Sequence, residues 1–158
     1  MFSYGENNSL LMSHASHHVP GVKFSTGSLG HGLPVAIGSA LVARNEKKNR
    51  KVYVLISDGE LNEGSTWESL MFAAHHKIDN LCVIIDYNKL QSLTSVSNTI
   101  KLEPLTKKIK SFGCEVKNIN GHNIIQLKRA LIFKNKKKPR VVIANTIKGK
   151  GISFMENN

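Results

Sequence analysis

The strongest constraint on this 158-residue chain is an alternation: apolar runs of strand length take turns with segments whose apolar residues recur at helical spacing. The runs cover residues 51–56, 81–85, 115–119 (the weakest) and 140–144. The strongest are apolar at every position rather than at every second one, which suits strands covered on both faces of a parallel sheet. A helix is expected over 33–44, with Pro34 in its first turn, where proline is tolerated. Trp67, Leu70, Met71, Ala74 and Ile78 fall on one helical face, and Ser65 with Glu68 has the spacing of a capping box. Further helices are expected over 104–112 and 124–133, the second with Asn123 as its N-cap. Such alternation predicts an α/β fold: a doubly wound parallel sheet with helices on both faces and right-handed crossovers. The length suits a single domain, residues 1–158, without repeats or linkers.

In such sheets ligands bind beyond the carboxyl ends of the strands. The first strand ends in Ser57-Asp58-Gly59-Glu60-Leu61-Asn62-Glu63-Gly64. A carboxylate there can hold a hard cation while the glycine N–H approaches an anion; the same residues also make an ordinary turn and helix start. The second ends in Asp86-Tyr87-Asn88-Lys89-Leu90-Gln91, with Asn88 thirty residues after Asp58. One helix and one strand lie between them, so the two loops are neighbours on one edge of the sheet. A carboxylate, an amide oxygen and a backbone carbonyl form an all-oxygen set. That set suits Mg²⁺, which completes its octahedron with phosphate oxygens and water. The protein ligands are too few for a cage, so the ion reads as a bridge to a diphosphate. A third segment, Ser25-Thr26-Gly27-Ser28-Leu29-Gly30-His31-Gly32, leads into the first helix. Its glycines let backbone approach a flat or anionic ligand, although it is neither G-x-G-x-x-G nor a Walker A loop.

Composition narrows the function classes. The formal net charge of +11 favours polyanions. Much of it lies in two local runs, Glu46-Lys47-Lys48-Asn49-Arg50-Lys51 and Lys134-Asn135-Lys136-Lys137-Lys138, which read as solvated loop charge. No basic motif is interleaved with aromatics, which argues against nucleic acid. Cys82 and Cys114 form no C-x-x-C pair, which points to a reducing, cytoplasmic setting. No apolar run is long enough for a membrane helix, and no signal peptide is expected at the start. His14, His17 and His18 cluster without a recognisable fourth ligand, against a transition-metal site. His75 and His76 read as packing or surface residues, and His122 as part of a turn.

Taken together, these motifs resemble the diphosphate-binding domain of thiamine diphosphate enzymes, and within that group the N-terminal part of the transketolase family. The resemblance runs from about Leu11 to the end. It is carried by Pro20-Gly21-Val22, Thr26-Gly27-Ser28-Leu29-Gly30-His31-Gly32, Asp58-Gly59-Glu60-Leu61-Asn62-Glu63-Gly64, Asp86-Tyr87-Asn88-Lys89-Leu90-Gln91 and Lys148-Gly149-Lys150-Gly151. It implies Asp58 and Asn88 as side-chain ligands of Mg²⁺, Leu90 as the backbone-carbonyl ligand, and Gly59 as the N–H that meets the diphosphate. Gly27 and Leu29 would lie against the cofactor rings, and His14 would contact the donor sugar as a catalytic residue. Glu63 and Glu68 resemble acidic residues at the family's subunit interface.

The implied activity is transfer of a two-carbon ketol unit between sugar phosphates, as in the pentose phosphate pathway. The implied partner is a subunit carrying the pyrimidine domain and its activating glutamate, in an oligomer. The chain departs from the family at Ser57, where the first glycine of Gly-Asp-Gly is usual, and at His31, where glutamine is common. The family's section begins before Met1 and runs past Asn158, so a truncated domain is expected. The alternatives are a component of another thiamine diphosphate enzyme and an inactive remnant or binding module.

Overall fold

The computed structural model describes residues 3–134 and 137–157. Its centre is a four-stranded, all-parallel sheet, with β1 (Val52–Ser57), β2 (Leu81–Tyr87), β3 (Glu115–Asn120) and β4 (Arg140–Asn145) in the spatial order β1-β2-β4-β3. The expected α/β class and all four strands are present, each within two residues of its sequence bounds. Helices α1 (Gly32–Asn45), α2 (Gly64–His75), α4 (Leu105–Ser111) and α5 (Ile124–Leu131) match the expected ones. A 3₁₀ turn (Gly59–Asn62) and a one-turn helix α3 (Val96–Thr99) were not anticipated. Asn123 caps α5 as expected, its Oδ1 accepting the Gln126 amide at 3.0 Å.

The main core lies on one sheet face. Leu33, Ile37 and Ala40 of α1, Leu70 and Ala73 of α2, and Leu105 and Ile109 of α4 pack there with Ile56, Val83, Ile85, Val141 and Ile143. Among the described residues, the helix over the other face is α5, which brings Ala130, with Phe133 beyond it, against Cys82 and Val142. Arg140 fastens this layer: its guanidinium donates to the Ala130 carbonyl and pairs with Glu115 Oε2, each at 2.9 Å.

Three expectations need correction. Met71 is 47% exposed, because α2 turns Thr66, Ser69 and Ala73 inward beside Leu70. The Ser65–Glu68 capping box does not form; Glu63 occupies the N-cap and the Ser65 hydroxyl donates instead to the Gly30 carbonyl. The continuous apolar run of β1 is thinly covered on its second face: Tyr53 meets the Phe133 ring and donates to the Leu131 carbonyl, yet it stays 48% and Leu55 69% exposed at the sheet's edge. The second basic run, 134–138, includes residues 135 and 136, which lie outside the described residues.

Candidate functional site

The parallel register of β1 and β2 sets Val52 opposite Leu81 and Ser57 opposite Asp86, an offset of 29 residues. This offset continues past the strand ends. Asn62 Nδ2 donates to Gln91 Oε1 at 2.8 Å across the same 29 positions. The loops after β1 and β2 therefore meet at one edge, as their order in the sequence requires. Together they line a cleft of about 400 Å³, bordered by Leu29, Asp58, Gly59, Leu90, Gln91 and Lys148 among others.

Asp58 sits at the bottom of this site and is 1% exposed. Lys89 lies in the left-handed region (φ 66°), which turns its main-chain N–H onto Asp58 Oδ2 at 2.7 Å. Among the described residues no basic side chain pairs with this carboxylate. Burial pushes the Asp58 carboxyl above its ordinary value, the Lys89 amide pulls against that rise, and the charge of Asp86 adds to it. A buried carboxylate without a cationic partner is costly. Asn88 Oδ1 accepts the Leu90 amide at 2.9 Å, a local turn that holds the two proposed ligand residues together.

The glycine-rich segment is clamped to the same loops. Glu60 Oε2 accepts the Gly30 amide at 2.6 Å, and Ser65 donates to the Gly30 carbonyl at 2.8 Å. Gly30 has φ 79°, and a Cβ there would lie 2.5 Å from Ser65 Oγ, so only glycine fits. Gly27, at φ 109°, has the His14 ring over it; a Cβ would meet His14 Cγ at 2.7 Å. Thus Leu29, Asp58, Gly59 and Leu90 line one cleft; Asn88, Gly27 and His14 are not among its lining residues, Asn88 being tied to Leu90 by a hydrogen bond and Gly27 and His14 lying against each other.

The sequence reading missed the Asn62–Gln91 bridge and gave no site role to Lys148, which lines the cleft. The bridge was available as a signal, since both residues stand at the separation that the strand pairing dictates. Asn62 Oδ1 and Gln91 Nε2 are buried without hydrogen-bond partners, an acceptor and a donor left over in the cleft. Elsewhere, His122 Nε2 accepts the Ile147 amide at 2.8 Å, a structural role for the turn. His17 bonds Ser25, and among the described residues no three His, Cys, Asp or Glu side chains converge as a metal site. The residues at the cleft nonetheless fit Mg²⁺. One buried carboxylate without a cation, one amide oxygen and one backbone carbonyl are what an ion uses when phosphate and water supply the rest.

Fold and cleft together define an α/β binding domain that seats its ligand beyond the carboxyl ends of parallel strands. The family model "Transketolase, thiamine diphosphate binding domain" matches residues 2–158, and the chain belongs to the transketolase family. It is 47% identical over 156 residues to an apulose-4-phosphate transketolase subunit of Actinobacillus succinogenes, covering 98% of this chain and 56% of that one. It is 39% identical over 150 residues to the 6-deoxy-6-sulfo-D-fructose transketolase subunit SqwG of a Clostridium species, covering 93% of this chain and 54% of that one. Among solved structures, Campylobacter jejuni transketolase superposes with a TM-score of 0.91 at 30% identity, over 99% of this chain and 26% of that one. The chain thus spans about half the length of these subunit-type relatives. No helix among the described residues is long and apolar enough to cross a membrane.

Proposed function

We propose that this chain forms the magnesium- and diphosphate-holding part of a transketolase assembled from two kinds of polypeptide. The observation that carries the reading is Asp58: a buried carboxylate, without a side-chain cation, at the edge shared by two loops of a parallel sheet. The names of two relatives as transketolase subunits support a partner polypeptide. That partner supplies the pyrimidine-binding domain and the activating glutamate, and the assembly is oligomeric.

In this reading Asp58 and Asn88 hold Mg²⁺ through side-chain oxygens and Leu90 through its carbonyl. The Gly59 amide meets the diphosphate, and Lys148 at the cleft adds positive charge. Gly27 and Leu29 present a flat surface to the cofactor rings. His14, which lies over Gly27, would contact the donor sugar. Thiamine diphosphate, when bound, supplies the carbon nucleophile and electron sink for moving a two-carbon ketol unit. The donor is a ketose phosphate and the acceptor an aldose phosphate. The relatives named for apulose-4-phosphate and 6-deoxy-6-sulfo-D-fructose point to less common sugars as well.

Calorimetric titration with thiamine diphosphate tests this, with and without Mg²⁺ and with and without a pyrimidine-domain subunit. Binding should require Mg²⁺ and weaken by roughly a hundredfold in Asp58→Ala, the upper end of what even outer partners of a metal contribute. Absence of Mg²⁺-dependent binding in every mixture would favour an inactive binding module.

A further inference from the structure

We propose that Asn62 and Gln91 form a clasp that sets the spacing of the Asp58 and Leu90 loops before a ligand arrives, and that its spare amide acceptor and donor serve the cation and the diphosphate. The inference rests on the reading of this cleft as a metal–diphosphate site and adds two positioning residues to it. Both side chains line the cleft. Each loop is first braced within itself. Asn62 ends the 3₁₀ turn that Asp58 opens. In the other loop the Gln91 amide donates to the Thr94 carbonyl at 2.9 Å, and the Val96 amide to the Lys89 carbonyl at 3.0 Å. None of these bonds controls the gap between the loops. Two others cross it: the Lys89 amide to Asp58 Oδ2 at the bottom of the cleft, and Asn62 Nδ2 to Gln91 Oε1 at 2.8 Å.

The second crossing bond stands one residue from the Leu90 carbonyl. That carbonyl and the Gln91 N–H belong to one planar peptide and point opposite ways in its trans form. Thr94 holds the N–H, and Asn62 holds the side chain of the same residue. The peptide plane therefore has little freedom to rotate, and the carbonyl offered to a cation is preset.

The clasp does not use up its own polar groups. Asn62 Oδ1 and Gln91 Nε2 are buried without partners. Such atoms are costly, and native structures keep few of them. Turning both amides over exchanges the roles, and one acceptor and one donor stay spare in either arrangement. A hydrated cation carrying phosphate answers both at once: water on the cation donates, and a phosphate oxygen accepts. An apolar ring answers neither.

The test uses the full chain and two readouts. In the ligand-free protein, amide hydrogen exchange by NMR compares the Lys89 N–H, which spans the loops, with the Leu90 N–H, which bonds Asn88 inside its own loop. Gln91→Met keeps the bulk and removes the amide. It should speed exchange at Lys89 about fivefold, the size of one hydrogen bond's contribution, and leave Leu90 unchanged. Asn62→Ala should do the same from the other loop. The second readout is calorimetric titration with Mg²⁺ and thiamine diphosphate, with a pyrimidine-domain subunit present. Affinity should fall about tenfold in either variant, and the double variant should bind no more weakly than the singles, since one bond is broken in all three. Exchanging the amides, Asn62→Gln with Gln91→Asn, keeps their summed length and should restore both readouts. The inference is overturned if Lys89 exchanges no faster in either variant, or if Leu90 speeds up equally, which would mean general loosening. It is also overturned if the parent binds and both variants bind equally well. A parent that binds in no mixture sinks the metal–diphosphate reading itself, and this inference with it, so the two failures are told apart.

Discussion

β1 and β2 lie side by side in register and carry similar apolar sequences, Val-Tyr-Val-Leu-Ile-Ser and Leu-Cys-Val-Ile-Ile-Asp-Tyr. β2 is buried or half-buried at every position, whereas β1 exposes every second residue. Tyr53 is paired with Cys82, yet one is half-exposed and the other fully buried. The difference arises from strand order. β2 has a neighbour on each side and helices over both faces, while β1 has β2 on one side and little beyond Phe133 over its second face. Apolar sequence states what a strand can bury; its place in the sheet decides what it does bury.

The contrast can be broken most directly by truncation. Ile85→Ala in β2 should lower unfolding stability by about 3 kcal/mol, while Leu55→Ala in β1 should stay within about 0.5 kcal/mol. Urea denaturation of both variants measures this, and comparable losses would mean that β1 is covered after all. A smaller effect is expected where the two strands end. Folding raises the Asp58 carboxyl. Its contribution is therefore favourable below the ordinary aspartate value and is lost as pH rises through the raised one. In the absence of ligand, Asp58→Asn should melt above the parent at neutral pH, with the gap closing in acid. A parent that melts equally high at neutral pH would contradict the raised value. The smallest effect sharpens the comparison at Cys82, which sits on the second face beside Tyr53. Burial raises this thiol to about 11, with Arg140 and Lys51 opposing the rise, and Cys114 is likewise raised to about 11. Neither should react with a disulfide reagent at neutral pH until urea unfolds the chain. Rapid labelling of Cys82 would show that the open face extends inward from β1.

Much of this was legible in the sequence, because the signals were local. Strand-length apolar runs, a proline in the first turn of α1 and the Asn123 cap each report on a few adjacent residues. So do Asp58-Gly59 and Asn88, since their separation follows from one helix and one strand. What was not legible depended on neighbours distant in the chain. Met71 belongs to a helical stripe that periodicity alone cannot orient, and Thr66 and Ala73 took the inward positions instead. Ser65 had the spacing of a cap but found the Gly30 carbonyl, 35 positions away. The thinly covered face of β1 depends on strand order, which no run of residues encodes locally. Gly27 was expected against the cofactor rings and His14 at the donor sugar, and the structure adds that the two touch each other.

The amide of Lys89 that points at Asp58 has a consequence for how this site varies over time. The donor is main chain, so replacing the lysine with almost any other residue leaves the hydrogen bond in place. Inheritance at position 89 is therefore constrained by conformation rather than by side-chain chemistry. At φ 66° an L-residue is strained by about 1–2 kcal/mol, so glycine would be easier to hold there. Proline, with no N–H and a φ it cannot adopt, is the one substitution that removes the donor outright. Drift can thus rewrite the side chain at this position while leaving the polarity at Asp58 unchanged.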